Sequence, residues 1–351
     1  MNIRIITGIA VMTGMIAGHS FAGVTNPNIS AIGQVFATYT DDTASAAPKK
    51  VALTLGEVEL QLDAALNPYL NGLFVLSFDG TSVDIEEAYA TLVKGLPLNL
   101  ALKAGKFRLD FGKLNQTHTH AYPFLRTPRV LDPKAARLLP GEESFDDVAV
   151  QASTLWPVTD NWSVALSADA LSGEAFHPDA RDVMPAWLCH LSSAFIIDPA
   201  SFDVGLSATR GLGDVPRHLY TAVYGADAKA KIAASALLTL TVAGEYLYRL
   251  SETSDSLGTV ARGGRYGFYA YVNALYRTQF NAGLLAEQYQ DPLRSGTTDR
   301  ALKPFAGFSV LEESTLVRLS YEYFIGGANA RNNTVEVQLL FSMGPHKAHQ
   351  F

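Results

Sequence analysis

From residue 29 to residue 343, apolar and polar side chains alternate in runs of roughly 10 to 15 residues, the repeating signature of strands with two unlike faces. Sixteen such runs are centred within 29–39, 51–66, 69–78, 82–93, 98–111, 145–156, 161–171, 186–197, 201–210, 217–232, 237–250, 264–277, 280–290, 301–311, 314–325 and 333–343. Three of them define the faces. Over 266–277, Tyr266, Phe268, Ala270, Val272, Ala274 and Tyr276 form one face, with Asn273 and Arg277 on the other. Over 316–325, Val317, Leu319, Tyr321, Tyr323 and Ile325 alternate with Arg318, Ser320 and Glu322; over 334–343, Val335, Val337, Leu339, Phe341 and Met343 alternate with Glu336, Gln338 and Ser342. Aromatic residues at both ends of an aliphatic face are the profile of a surface against lipid. The opposite faces carry Glu57, Glu59, Asp63, Asp84, Glu86, Glu245, Glu287, Glu322 and Glu336, which a dry core does not tolerate. The pattern therefore predicts an all-β chain: a transmembrane antiparallel β-barrel of about 16 strands around water. A soluble two-sheet protein also alternates, but it turns its polar face to bulk water and needs no aromatic girdles.

The connections alternate as well. Short ones fall at Asn67-Pro68, Leu96-Pro97, 157–161, Asp198-Pro199, 233–236, Thr278-Gln279 and Glu312-Glu313; long ones at 40–50, 113–147, 173–185, 211–216, 251–263, 291–300 and 326–332. The connection at 79–82 is short where a long one is due. Short periplasmic turns and long extracellular loops place both termini in the periplasm. The stretch 113–147, after the fifth strand, has no periodicity. It holds four prolines, a basic set (Arg126, Arg129, Lys134, Arg137) and an acidic one (Glu142, Glu143, Asp146, Asp147), and it is expected to fold into the pore as a constriction loop. In the strand before it, Lys106, Arg108 and Asp110 share one face and Gly105, Phe107, Leu109 and Phe111 the other. Tyr89, Phe107 and Phe111 are expected as wall or girdle aromatics, with a lumenal stacking track for sugars as the competing idea.

Composition sharpens this picture. The chain has 351 residues, 48% of them hydrophobic and 17% charged. Arg4, the apolar run 5–17 and Ser20-Phe21-Ala22 predict a signal peptide over 1–22, leaving 23–351 as the barrel. Beyond it no stretch approaches the ~18 to 20 apolar residues of a spanning helix, so a membrane protein built on this chain must cross with strands. A single cysteine, Cys189, excludes an intrachain disulfide. Without Arg4 the chain has 26 basic against 34 acidic side chains, with no basic patch for nucleic acid. Phe351 suits a C-terminal assembly signal, which makes the barrel-assembly machinery, outer-membrane lipid and lipopolysaccharide the expected partners and the bacterial outer membrane the expected location.

Ile85-Glu86-Glu87-Ala88-Tyr89 followed by Gly105-Lys106-Phe107-Arg108-Leu109-Asp110-Phe111-Gly112 resembles a pattern of the phosphate-selective porins and their relatives, over about residues 52–130. The resemblance implies a sixteen-stranded, trimeric porin whose long loop after the fifth strand narrows the lumen. Phosphate-selective members line that constriction with many lysines. Here the region offers Lys103, Lys106, Arg108 and Lys113 among carboxylates, so the expected role is passive diffusion of small hydrophilic solutes or ions.

Ion preference follows the charges at the narrowest point. One expected arrangement sets Lys106, Arg108, Arg126, Arg129 and Arg137 against Glu57, Glu59 and Glu86; the other has the loop arginines pair with loop acids. Asp110 joins these candidates. His118 and His120 fall on one side of an extended segment and are candidates for a metal pair, with His177 or His218 as a third ligand, or else a solvated hydrogen-bonded pair. No cofactor is expected. There is no G-x-S-x-G or H-E-x-x-H motif, and His190 near Ser192 and Ser193 makes no dyad by adjacency alone. Two further readings stay open: a binding or adhesion barrel acting through its extracellular loops, and a metal-uptake barrel using His118 and His120.

Overall fold

Hydrogen-bonded strands form one antiparallel sheet that closes on itself. The computed structural model describes residues 27–344 apart from 79, 81, 180–185, 295, 311–313 and 328–329. The expected signal peptide over 1–22 and Phe351 lie outside the described residues. The strands are β1 (Asn28–Thr40), β2 (Val51–Leu55), β3 (Val58–Ala65), β4 (Leu70–Phe78), β5 (Val83–Leu92), β6 (Leu100–Arg108), β7 (Asp146–Thr159), β8 (Trp162–Leu171) and β9 (Ala186–Ile197). They continue as β10 (Ala200–Asp214), β11 (Leu219–Ser235), β12 (Leu238–Ser254), β13 (Val260–Tyr276), β14 (Phe280–Gln290), β15 (Thr298–Ser309), β16 (Thr315–Ile325) and β17 (Arg331–Met343).

Each strand pairs with its chain neighbour, and β1 closes the ring against β17 from Ala31↔Met343 to Thr40↔Thr334. On its other flank β1 pairs with both β2 and β3, successive parts of one stave broken at Gly56 and Glu57. The barrel thus has sixteen staves, as the alternation predicts. Closure leaves no open edge of unpaired backbone, the condition for spanning a bilayer with strands. Among the described residues, no helix is long and apolar enough to cross a membrane.

The faces follow the two-residue rhythm. Val317, Leu319, Val335, Val337, Leu339 and Phe341 are exposed on the outside, while Arg318 and Gln338 are buried inside. In β13, Phe268, Val272 and Tyr276 face out and Tyr269, Tyr271 and Asn273 face in.

Several strands outrun their expected ends. β11, β12 and β13 are 17 residues each, and β10 continues to Asp214, so the long connection expected at 211–216 shrinks to 215–218. Gly263, at the end of the long connection expected over 251–263, and Gly264 are strand residues paired with Ser251 and Leu250. A side chain at Gly264 would run into the Tyr248 hydroxyl, so the glycine is there to let that ring lie across the strand. The opposite wall is low: β2 to β6 are only 5 to 10 residues long.

The inner face is less wet than the acids suggest. Residues 109–145, between β6 and β7, bring Leu109, Phe111, Leu114, Phe124, Leu138 and Phe145 against wall residues Val223, Leu247, Tyr269, Tyr271, Leu285 and Phe305, making one buried apolar cluster inside the ring. Phe107 and Phe111 are fully buried in it and Tyr89 packs against it, so these three are lumenal core residues and not lipid-facing girdle. The segment has an apolar side that needs covering, and the wall of β11 to β15 supplies the cover.

Candidate pore-lining site

Two irregularities in the wall place the charged groups. In β5 the register against β4 skips at Glu86, with Val75 opposite Glu87 and Leu76 opposite Ile85. Such a bulge brings adjacent side chains to one region of a strand that should send them to opposite faces. In β6, Gly105 has φ +137°, a region that side-chain-bearing residues rarely enter, and a Cβ there would collide with the Ala88 carbonyl oxygen. The β5–β6 ladder ends one residue later, at Ala88↔Lys106. Beyond it the two strands part, and Lys106 and Arg108 stand at the opening. Lys106 Nζ lies 3.2 Å from Asp146 and donates to the Ile85 carbonyl; Arg108 Nη2 lies 3.0 Å from Glu86 and Nη1 donates to the Thr117 carbonyl.

Around this opening the segment 109–145 inserts two histidines into a set of carboxylates. His118 Nε2 donates to Glu87 at 3.1 Å, while its Nδ1 lies 3.2 Å from Glu59 and 3.3 Å from Glu86. His120 Nδ1 lies 3.0 Å from the other oxygen of Glu59. The two rings stack at 5.6 Å. The third partner of the histidines is thus a wall carboxylate. His177 lies beside Asp179 and His218 in the turn between β10 and β11, so neither supplies the third ligand that the sequence left open.

Further along, the same segment is fastened to the far wall. Glu245 accepts from the amides of Lys113 and Leu114 and from the Tyr269 hydroxyl; Lys113 Nζ reaches Asp203 at 2.8 Å. Arg318 donates to the Phe124 carbonyl and to Gln338. Arg126 pairs with Glu336 at 2.9 Å and Arg129 with Glu322 at 2.6 Å. Lys303 bridges Glu322 and the buried Glu287 at 2.8 and 2.6 Å. Burial opposes the charge on Arg129, but the Glu322 carboxylate outweighs it and holds the guanidinium pKa above its ordinary value. Lys134 pairs with Glu143 within the segment, and that hydrogen bond raises the ammonium pKa.

Open spaces remain beside these groups. One, about 1070 Å³, is lined by Glu57, Glu86, Lys106, Arg108, Glu142 and Asp146 among others. The second, about 240 Å³, is lined by Arg126, Arg129, Lys303, Glu322 and Glu336. Glu59 is buried at the histidines. Asp110 lies past the end of β6 and Arg137 is exposed with its carbonyl accepting from Arg265; neither lines these two spaces. The basic residues do not stand apart from the acidic ones: Arg108, Arg126 and Arg129 each touch a wall carboxylate directly. Glu87 and Lys303 were not singled out from sequence. The doublet Glu86-Glu87 is itself a break in the alternation and could have flagged the bulge, whereas nothing local marks Lys303 as the bridge between two acids.

No protein-family profile matches the chain. An uncharacterised protein of Aquifex aeolicus is 31% identical over 267 residues, which are 67% of this chain and 54% of that protein, so the chain spans about half the length of the relative it matches. Among solved structures, an anion-selective porin from Comamonas acidovorans superposes with a TM-score of 0.62 at 12% identity, over 91% of this chain and 100% of that one. The outer membrane channel DcaP of Acinetobacter baumannii gives 0.56 at 10%, over 90% and 97%. The outer membrane protein OmpT of Vibrio cholerae, in a trimer form, gives 0.56 at 9%, over 92% and 100%. The fold is that of the outer-membrane porins and channels.

Proposed function

We propose that this chain is an outer-membrane porin through which small hydrophilic solutes or ions diffuse passively, narrowed by the 113–147 loop and working as a homotrimer. The observation that carries the reading is the radial order of polarity: aliphatic side chains outside the ring, and inside it a space of about 1070 Å³ lined by paired charges. A barrel around water is the arrangement that makes both faces favourable at once. In support of the trimer, the outer membrane protein OmpT of Vibrio cholerae, whose fold is similar, is known in a trimer form.

The solute class is broad. Acids outnumber bases at the lining, which favours cations and speaks against the anion preference of a lysine-lined phosphate channel. Residues 1–22 would direct export and be removed, and the C-terminal Phe351 would recruit the assembly machinery. Liposome swelling tests the function: vesicles carrying the protein should swell in uncharged sugars at rates that fall with sugar size. Swelling no faster than in protein-free vesicles would overturn the reading.

A further inference from the structure

We infer that Glu59, His118 and His120 form a divalent transition-metal site, with zinc the best-fitting ion, that latches the inserted segment to the barrel wall. One nitrogen of each imidazole and one carboxylate oxygen lie within 4.8 Å of one another. Tetrahedral zinc with bonds of ~2.0–2.1 Å requires ligand atoms about 3.3 Å apart. His118 Nδ1 stands 3.2 Å from one oxygen of Glu59 and His120 Nδ1 3.0 Å from the other, so the carboxylate already holds each imidazole nitrogen close to that edge length.

The surroundings point to a ligand rather than to a plain ion pair. His118 Nδ1 is buried and makes no hydrogen bond, although oxygens of Glu59 and Glu86 stand at 3.2 and 3.3 Å. It lies between two carboxylates without hydrogen-bond alignment to either, where a shared ion would sit. Its other nitrogen donates to Glu87. That bond fixes the tautomer with the proton on Nε2 and the lone pair on Nδ1, the orienting device common to metal-bound histidines. Charge agrees. Glu59, Glu86 and Glu87 against Arg108 leave two negative charges when both imidazoles are neutral, and a dication balances them. The donor set of two imidazoles and one or two carboxylates suits zinc and excludes magnesium and calcium, which take oxygen shells. The ligands come from β3, and with Glu86 from β5, on one side and from 118–120 on the other, so an ion here ties the segment to the wall.

The test is a zinc titration of chelator-stripped full-length protein in detergent near neutral pH, followed by calorimetry, with cobalt as a spectroscopic probe. The expected result is saturable one-to-one binding and intense visible bands of tetrahedral cobalt. His120→Gln and Glu59→Gln should lose saturable binding, and Glu87→Gln should weaken it about 10- to 100-fold. Absence of saturable binding in the unmodified protein overturns the site, as does binding unchanged in a His118→Gln/His120→Gln double variant. Should a variant fail to fold, the cobalt spectrum of the unmodified protein decides: no tetrahedral bands, no site. None of these readouts depends on conductance.

Discussion

Arg129 Nη2 stands 2.6 Å from Oε1 of Glu322, joining two residues 193 positions apart: one on the segment inside the barrel, the other on its wall. Glu322 gives its second oxygen to Lys303, which also holds Glu287. Three strands and the segment therefore share one charge network.

The members of that network should differ in cost by their exposure. Lys303→Met leaves Glu287, whose side chain is fully buried, without its cation and should destabilise the barrel by about 3–5 kcal/mol. Arg126→Ala, at a side chain 49% exposed, should cost less than about 1 kcal/mol. Thermal unfolding in detergent, read by loss of strand signal, ranks the two. Equal shifts would contradict the network as described.

The ring closes on a second clip. Asp41, just beyond β1, accepts from the backbone and side-chain nitrogens of Asn333 at 2.6 Å each, across the β1–β17 seam. The Asn333 backbone and side-chain donors hold the Asp41 carboxyl below its ordinary pKa. A lowered folded pKa means that the stabilisation is present above about pH 3.9 and is lost as pH falls through the folded value. Asp41→Ala should lower the unfolding temperature near neutral pH, and the gap to the unmodified protein should close in acid. A gap that persists at low pH would show that the carboxylate charge is not what holds the seam.

Gly105 should tolerate no side chain. Gly105→Ala forces a methyl against the Ala88 carbonyl at φ +137°, so a loss of more than about 1 kcal/mol is expected, with disturbed packing of Lys106 and Arg108. Stability within a few tenths of the unmodified protein would mean that β5 and β6 do not separate there.

The sixteen staves were readable because lipid outside and water inside impose a period of two on every strand. What escaped was whatever breaks that period. Gly263 falls in the expected connection 251–263, yet it and Gly264 continue β13, with the Tyr248 ring filling the space above Gly264. The Glu86 bulge and the backbone turn at Gly105 shift two strands locally, which moved Phe107 and Phe111 from an expected wall or girdle role into the internal core. Residues 109–145 are aperiodic, so their apolar side could not be separated from their polar side without the wall they face. The charged candidates were largely recognisable as residue types. Their partners were not: Arg126 meets Glu336 across 210 positions and His120 meets Glu59 across 61, distances at which sequence pattern carries no register.

Selectivity should respond to the groups at the opening. Lys106→Gln with Arg108→Gln frees Glu86 and Asp146 from their cations, so the reversal potential in a salt gradient should shift toward cations. Glu86→Gln should shift it the other way. An unchanged reversal potential in both would place these residues away from the ion path.

The most direct measurement is single-channel conductance in a planar bilayer. Purified protein should produce stable, ohmic current steps that close in groups of three, the record of three water-filled barrels in one assembly. A bilayer that remains silent although the protein has inserted would contradict the claim that water runs through this ring.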